Sequence, residues 1–180
     1  MPTSATGTST NNARERGFTL IELLVVMLIA GILMAAVLLS VRGGGEERLA
    51  REEIQRLDRL VTLASDEAIY RLLEIGLEFH REGYRFLVWT GDIWMPLPEP
   101  GPLRAHRWPE ALTASLTVEA KPTVLPATLA AEAPVPQVVF LSSGEVSAFQ
   151  IDLLAANGLG ERLQVHVTAD TERAPLGDTP

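Results

Sequence analysis

A long run of apolar residues lies near the start of the chain. From Leu23 to Val41, 19 residues carry no charge. As a helix rising about 1.5 Å per residue they would extend roughly 28 Å, close to the hydrocarbon thickness of a bilayer. A cleaved secretory signal is the simpler alternative, but its apolar core is usually only about 7 to 15 residues long. The pattern therefore predicts a transmembrane helix, which we assign to residues 18–42.

The charges on either side of this run differ. Arg14 and Arg16 precede it, whereas Arg42 is followed closely by Glu46 and Glu47. Since the cytoplasmic flanks of transmembrane helices are enriched in Lys and Arg, the difference favours a cytoplasmic N-terminus.

After the apolar run, the pattern becomes that of an amphipathic helix. Three glycines at 43–45 each destabilise a helix by up to about 1 kcal/mol relative to alanine, so any flexible stretch is expected there. Apolar residues then recur at steps of four and three, which places them on one helix face. They are Ala50, Ile54, Leu57, Val61, Ala64 and Ala68. The stripe predicts packing on the chain's own sheet, in preference to a coiled coil. Residues 43–75 are thus a linker and a helix, with the helix end predicted at Gly76.

The rest of the chain consists of short segments rich in aromatic and β-branched residues. Residues 77–81 and 84–90, with Glu82 and Gly83 between them, predict a β-hairpin. Further strands are predicted at 112–120, 137–141, 146–153 and 162–168, with turns at 142–145 and 157–160. One long helix followed by antiparallel strands predicts an α+β fold with a β head over residues 76–170.

Two segments lack strand patterns. Residues 121–137 contain four prolines, which disrupt helices and central strands, so a surface loop is expected. A variable connector is the favoured interpretation of this loop, and a contact surface for another protein is the alternative. Residues 171–180 show no apolar periodicity, and a loose tail is expected there.

Composition limits the functions that the chain can have. It contains 15 Lys and Arg against 23 Asp and Glu, a net charge of -8, which argues against nucleic-acid binding. It contains no cysteine, which excludes disulfides, thiolate metal ligands and cysteine nucleophiles.

Glu22 is a carboxylate at the start of the apolar run. At the centre of a bilayer such a group costs about 2.5 to 3.5 kcal/mol, less near an end, and it usually has a partner. A charge that reaches up to the lipid headgroups is the simpler alternative. The position of Glu22 therefore indicates a functional role.

The residues around Glu22, RGFTLIELLVVMLIAGIL at 16–33, resemble the class III leader junction of type IV pilins and type II secretion pseudopilins. This resemblance implies that a prepilin peptidase cleaves between Gly17 and Phe18, removes residues 1–17 as a leader, and methylates the new amine of Phe18. It also implies that Glu22, the fifth mature residue, pairs with the N-terminal amine of a neighbouring subunit during filament assembly.

Two later segments, 65–89 and 138–153, look like the corresponding parts of general secretion pathway protein H, the H-type minor pseudopilin. The resemblance implies a pilin-like fold, with a long N-terminal helix packed on an antiparallel β head. It also implies a non-enzymatic subunit of the type II secretion pseudopilus, without a cofactor. The protein would span the bacterial inner membrane once, with its N-terminus cytoplasmic and its head periplasmic.

The same resemblance implies the partners. They are the prepilin peptidase, the major and other minor pseudopilins and the inner membrane, with secreted cargo as a further candidate and no nucleic acid. A minor type IV pilin, used in surface pili or DNA uptake, is the closest alternative, since it shares the N-terminal motif.

Other residues with chemical potential form no recognisable motif. His80, His106 and His166 lie on separate predicted elements without the i, i+4 spacing of a helical zinc site, so no metal site is assigned. A membrane-tethered enzyme is the weakest alternative. Trp89 and Trp94 are expected to pack in the core or at a sheet edge, with the anchoring of a partner as the alternative.

Overall fold

The computed structural model of the chain describes residues 19–98, 100–128 and 134–177, and for residues 35–44 it describes the backbone alone. The chain divides into two compact units, one up to Ser40 and one from Val41 onwards. Within the described residues it forms one helix, α1 (Leu20–Arg71), and ten strands. The strands are β1 (Ile75–His80), β2 (Gly83–Trp89), β3 (Trp94–Pro96), β4 (His106–Arg107), β5 (Leu112–Val118), β6 (Lys121–Thr123), β7 (Val138–Phe140), β8 (Phe149–Ala155), β9 (Gly160–Val165) and β10 (Thr171–Leu176).

The strands form two antiparallel sheets. Sheet A has the order β3-β2-β1-β7, and β4 also pairs with β2. Sheet B has the order β10-β9-β8-β5-β6. One long helix with antiparallel sheets is the α+β fold that the sequence predicts.

The apolar stripe of α1 packs against both sheets. All six predicted stripe residues are fully buried, in one core cluster with residues such as Leu77 and Phe79 of sheet A and Ile151 and Leu163 of sheet B. Burial of an Ile or Leu side chain stabilises a fold by about 1.5 to 3 kcal/mol. The prediction that the stripe packs on the chain's own sheet is therefore confirmed.

Ion pairs border the stripe on the sheet B side. Arg51 lies 3.7 Å from Glu161 in β9, and Asp58 lies 3.3 Å from Arg173 in β10. Partly exposed pairs of this kind contribute about 0 to 1 kcal/mol each. They favour one rotation of the helix, while the apolar contacts hold it in place.

The helix ends at Arg71, so the predicted end at Gly76 was wrong. Leu72 adopts a left-handed conformation with φ 53°. The N–H of Leu72 bonds to the carbonyl of Ile69, and the N–H of Leu73 bonds to the carbonyl of Ala68. This is a Schellman ending, in which glycine is the usual left-handed residue. Because leucine takes that position here, the sequence does not show where the helix ends.

Gly76 instead lies in β1 because of a long-range contact. A Cβ atom at Gly76 would come within 2.7 Å of the Cβ of Pro136 and 3.0 Å of the Trp94 ring. Only glycine fits this close approach. At the other glycines in question, 43–45, the helical backbone is continuous, and the flexibility expected there stays a prediction.

The predicted hairpin is confirmed, with its turn shifted by one residue. His80 pairs with Gly83, so Arg81 and Glu82 form the turn. Gly83 is the first residue of β2. A Cβ there would clash with the carbonyl oxygen of His106 in β4, so the close approach of the two strands requires glycine. The glycine serves strand pairing and not the turn itself.

The remaining predicted strands are present with shifted ends. The predictions at 112–120, 137–141, 146–153 and 162–168 correspond to β5, β7, β8 and β9, and β8 begins three residues later than predicted. The turn at 142–145 is confirmed, with Gly144 at φ 92°. The turn predicted at 157–160 contains Gly158 at φ 81°, but Gly160 already belongs to β9.

Two loop predictions were wrong in part. Residues 171–176, expected in a loose tail, form β10, which pairs with β9 over its whole length. Residues 121–123, expected in the loop 121–137, form β6. Both strands lie at edges of sheet B, where Pro122 and Pro175 are tolerated because an edge strand needs fewer backbone donors.

The side chain of Gln137 completes the hydrogen bonding of β1. Its amide oxygen accepts a bond from the Phe79 N–H at 2.7 Å, and its amide nitrogen donates to the Phe79 carbonyl at 3.1 Å. In the β1–β7 register the residue opposite Phe79 would be Pro136, which has no N–H to donate. The glutamine amide thus replaces a missing backbone pair.

We expect Gln137→Ala to lower the free energy of unfolding by about 1 to 3 kcal/mol, because it leaves both polar groups of a buried backbone position without partners. Urea unfolding of the detergent-solubilised protein measures the change. The matched control is Gln150→Ala, which removes only two 3.3 Å contacts to Asp152. Equal losses in the two variants would contradict the assigned role of Gln137.

Candidate assembly site

The start of α1 is capped by Thr19. Its carbonyl accepts bonds from the N–H groups of Glu22 (3.1 Å) and Leu23 (3.3 Å), and its hydroxyl oxygen lies 3.3 Å from the Glu22 N–H. Thr19 and Glu22 have the spacing of a capping box, S/T-x-x-E/Q. The carboxylate in the first turn also complements the positive end of the helix dipole. The signature was readable in the sequence, but the prediction included only Glu22.

The first turns of α1 expose apolar side chains in every direction. From Leu20 to Met34 the large hydrophobic residues are between 45% and 82% exposed. A helix that is apolar all round is normally covered by protein or lipid. A segment of this composition therefore requires a covering of protein or lipid. In the part of α1 whose side chains are described, no stretch is long and apolar enough to cross a membrane.

The predicted site residues fall partly outside the described structure. Gly17 and Phe18, at the predicted cleavage site, lie outside the described residues. Glu22 is exposed in the first helical turn. Its predicted pairing with the amine of a neighbouring subunit needs a second chain and stays a prediction.

The histidines do not form a joint site. His80 is buried, and desolvation lowers its pKa despite the nearby carboxylates of Glu82 and Glu78. His106 bonds to Glu53 of α1 at 2.7 Å, and His166 is exposed. In the described parts of the chain, no three metal-ligating side chains come together. The histidines are distributed over the head in separate local roles.

The tryptophans pack as the sequence suggests. Trp89 and Trp94 face each other across β2 and β3, with ring centroids 5.3 Å apart, and both are half-buried. Trp108 is buried, and its ring centroid lies 4.8 Å from that of Tyr84. Burial raises the pKa of Tyr84 to about 12. Edge packing of the Trp89–Trp94 pair is thus confirmed, and partner anchoring stays untested.

Comparison with known proteins connects the start of the helix to the head. Residues 12–38 match the prokaryotic N-terminal methylation motif, and residues 53–171 match the model of the family type II transport protein GspH. The chain belongs to the GspH family.

Two relatives match most of the length of this chain. It is 32% identical over 168 residues to type II secretion system protein H of Pseudomonas aeruginosa, which covers 89% of this chain and 94% of the relative. It is 30% identical over 159 residues to type II secretion system protein H of Escherichia coli, with 83% and 86% covered.

A solved structure confirms the fold. The crystal structure of the minor pseudopilin EpsH from the type II secretion system of Vibrio cholerae aligns with a TM-score of 0.62 at 20% identity, covering 74% of this chain and 99% of that chain. The pilin-like fold predicted from the sequence is therefore present. The GspH family is a structural family of minor pseudopilins, and the comparisons favour it over the alternative of a type IV pilin.

We expect Thr19→Ala to loosen the first turn of α1, because loss of an N-cap side chain typically costs about 1 kcal/mol. Hydrogen exchange of the Glu22 and Leu23 amides in detergent micelles should accelerate about fivefold. Thr19→Ser keeps a capping hydroxyl and should exchange like the parent protein. Unchanged exchange in Thr19→Ala would show that the threonine side chain does not cap the helix.

Proposed function

We propose that the chain is the H-type minor pseudopilin of a type II protein secretion machine. It is anchored in the bacterial inner membrane through residues 18–42, with its head in the periplasm, and it assembles with other pseudopilins into the periplasmic pseudopilus that drives protein export. One observation carries the proposal: an exposed helix start, apolar apart from the carboxylate of Glu22, precedes a head of the GspH family.

Processing would convert the precursor into an assembly subunit. The methylation motif at 12–38 supports cleavage by a prepilin peptidase between Gly17 and Phe18, followed by methylation of the Phe18 amine. A glycine before the cleaved bond leaves room for close approach of the peptidase backbone. Cleavage places a positive charge four residues before Glu22.

Glu22 would then set the register of assembly. A carboxylate and an ammonium are each unfavourable in lipid, and they cancel part of that penalty when they pair. Pairing between the Glu22 carboxylate and the Phe18 amine of an adjacent subunit would therefore favour lateral packing at one axial offset. The Thr19 cap supports this role, since it fixes the first turn that carries Glu22.

The partners follow from this role. They are the prepilin peptidase, the major pseudopilin and the other minor pseudopilins, all of which would meet the apolar start of α1 or the head. Secreted cargo is a further candidate partner. The role is structural and requires no catalytic group or cofactor.

Processing can be tested by intact-mass analysis of protein isolated from membranes with and without the prepilin peptidase. The mature protein should have lost residues 1–17 and gained one methyl group on Phe18. In the strain without the peptidase the precursor should persist. An unprocessed N-terminus in the competent strain would contradict the proposed function.

The role of Glu22 can be tested by substitution. We expect Glu22→Leu to be processed normally but to enter pseudopili at least about tenfold less, because a charge pair in a poorly solvated site is lost. Cross-linking of isolated pseudopili and an export assay measure the effect. The double variant Glu22→Leu with Val26→Glu returns the carboxylate one turn further on, and it should fail as well if the distance to the amine matters. Normal assembly of Glu22→Leu would refute the pairing.

A further inference from the structure

An apolar surface lies where α1 ends and sheet A begins. In the described part of the second unit, eight large hydrophobic side chains are exposed, and five of them belong to this region. These five residues, which we call the helix-end surface, are Ile69, Tyr70, Leu72, Ile93 and Met95. Tyr70 is 86% exposed and Leu72 is 78% exposed. Exposed apolar groups that cluster in this way typically mark an interaction site.

The chain topology places these residues at one end of sheet A. The N–H of Trp89 bonds to the carbonyl of Glu74, so the end of β2 lies beside the residues that follow Leu72. Ile93 and Met95 flank Trp94, which pairs with Trp89. The strand register therefore places the β2–β3 turn at the same end of sheet A as the end of α1.

Leu72 occupies a strained position that contacts within the chain do not explain. It is a bulky residue in a left-handed conformation, with φ 53°, where glycine would be less strained. Its side chain is largely exposed, so contacts within the chain do little to offset the strain. Strain of this kind tends to persist at functional positions.

Arg71, between Tyr70 and Leu72, forms an ion pair with Glu67, and the charges around the surface that lack such a pair are acidic. Glu74, Asp92 and Glu145 are exposed, and across the described residues none of the three forms an ion pair. Glu145 adjoins Gly144, whose turn lies against Ile69, since a Cβ at Gly144 would sit 3.5 Å from the Ile69 Cδ1. A partner with basic groups around an apolar centre would complement this rim.

The acidic rim also disfavours a second copy of this chain. Two such surfaces face to face would oppose carboxylates of like charge, and the chain as a whole has a net charge of -8. A different protein is therefore the better fit.

We propose that the helix-end surface binds another subunit of the same pseudopilus, through an apolar segment bordered by Lys or Arg. The proposal rests on the proposed function, which makes other subunits of the assembly available as partners. Tyr70 and Leu72 supply the apolar centre of the contact, and Glu74, Asp92 and Glu145 supply its charged rim.

Site-specific photo-cross-linking in cells that contain the complete secretion machine tests the proposal. A photoreactive phenylalanine analogue replaces Tyr70 in the full chain, and mass spectrometry identifies the linked protein. We expect a cross-link to another pseudopilin. The control places the analogue at Val124, which is 87% exposed and precedes Leu125, whose carbonyl lies near the Arg81 side chain at the opposite end of β1. This position should not link to the same subunit.

Leu72→Gly separates an interface role from a structural one. Glycine relieves the left-handed strain, so the thermal unfolding midpoint should rise by about 2 to 4 °C. The same change removes a contact side chain, so the yield of the Tyr70 cross-link should fall about tenfold. A purely structural role predicts a more stable protein with an unchanged cross-link. Val124→Gly is the matched control and should leave the cross-link unchanged.

The rim is tested by Asp92→Lys, which should lower the cross-link yield several-fold, and less so at high salt because exposed charges are screened.

The proposal is overturned if Tyr70 links to a second copy of this chain, to a secreted protein or to no protein, or if Leu72→Gly links as the parent does. Intact mass is measured in each variant. Normal processing together with a lost cross-link supports the surface, whereas an unprocessed N-terminus in the parent chain would refute the proposed function itself.

Discussion

The burial of one helix face between two sheets is the contact on which the head depends. Sheet A and sheet B are formed by separate sets of strands, and the side chains from Ala50 to Ala68 join both sheets to one core. Apolar contacts act over the whole stripe, whereas the ion pairs at its border act at single points. A polar residue in the stripe would therefore weaken both sheets at once, because each packs against the same helix face.

The same helix meets two different physical demands. Its second half is amphipathic, with apolar residues buried on one side and residues such as Arg59 and Asp66 exposed on the other. Its first turns are apolar on all sides, apart from Glu22, and are exposed. A globular protein would not keep such a surface in water, so the composition of the first half is explained by an environment of lipid or neighbouring helices. The match to the GspH family, whose members are pseudopilins, gives this apolar helix start a function in assembly.

Features that depend on local patterns could be predicted from the sequence. The stripe was predicted residue by residue because a 3.6-residue period needs no knowledge of the rest of the fold, and Glu22 was identified because it interrupts an apolar run within a specific motif. Features that depend on distant partners could not be predicted. Gly76 suggested a helix end, but Pro136, sixty residues later, requires the glycine. β10 was missed because an edge strand with Pro175 and alternating charges resembles a tail.

The amide of Gln137 also has a consequence for the isolated subunit. Where β7 stops, β1 would present an unpaired N–H and carbonyl at Phe79, and an open strand edge of this kind can recruit a strand from another molecule. The glutamine occupies both groups. At this point sheet A therefore offers no free backbone pair to which a strand of another molecule could bond.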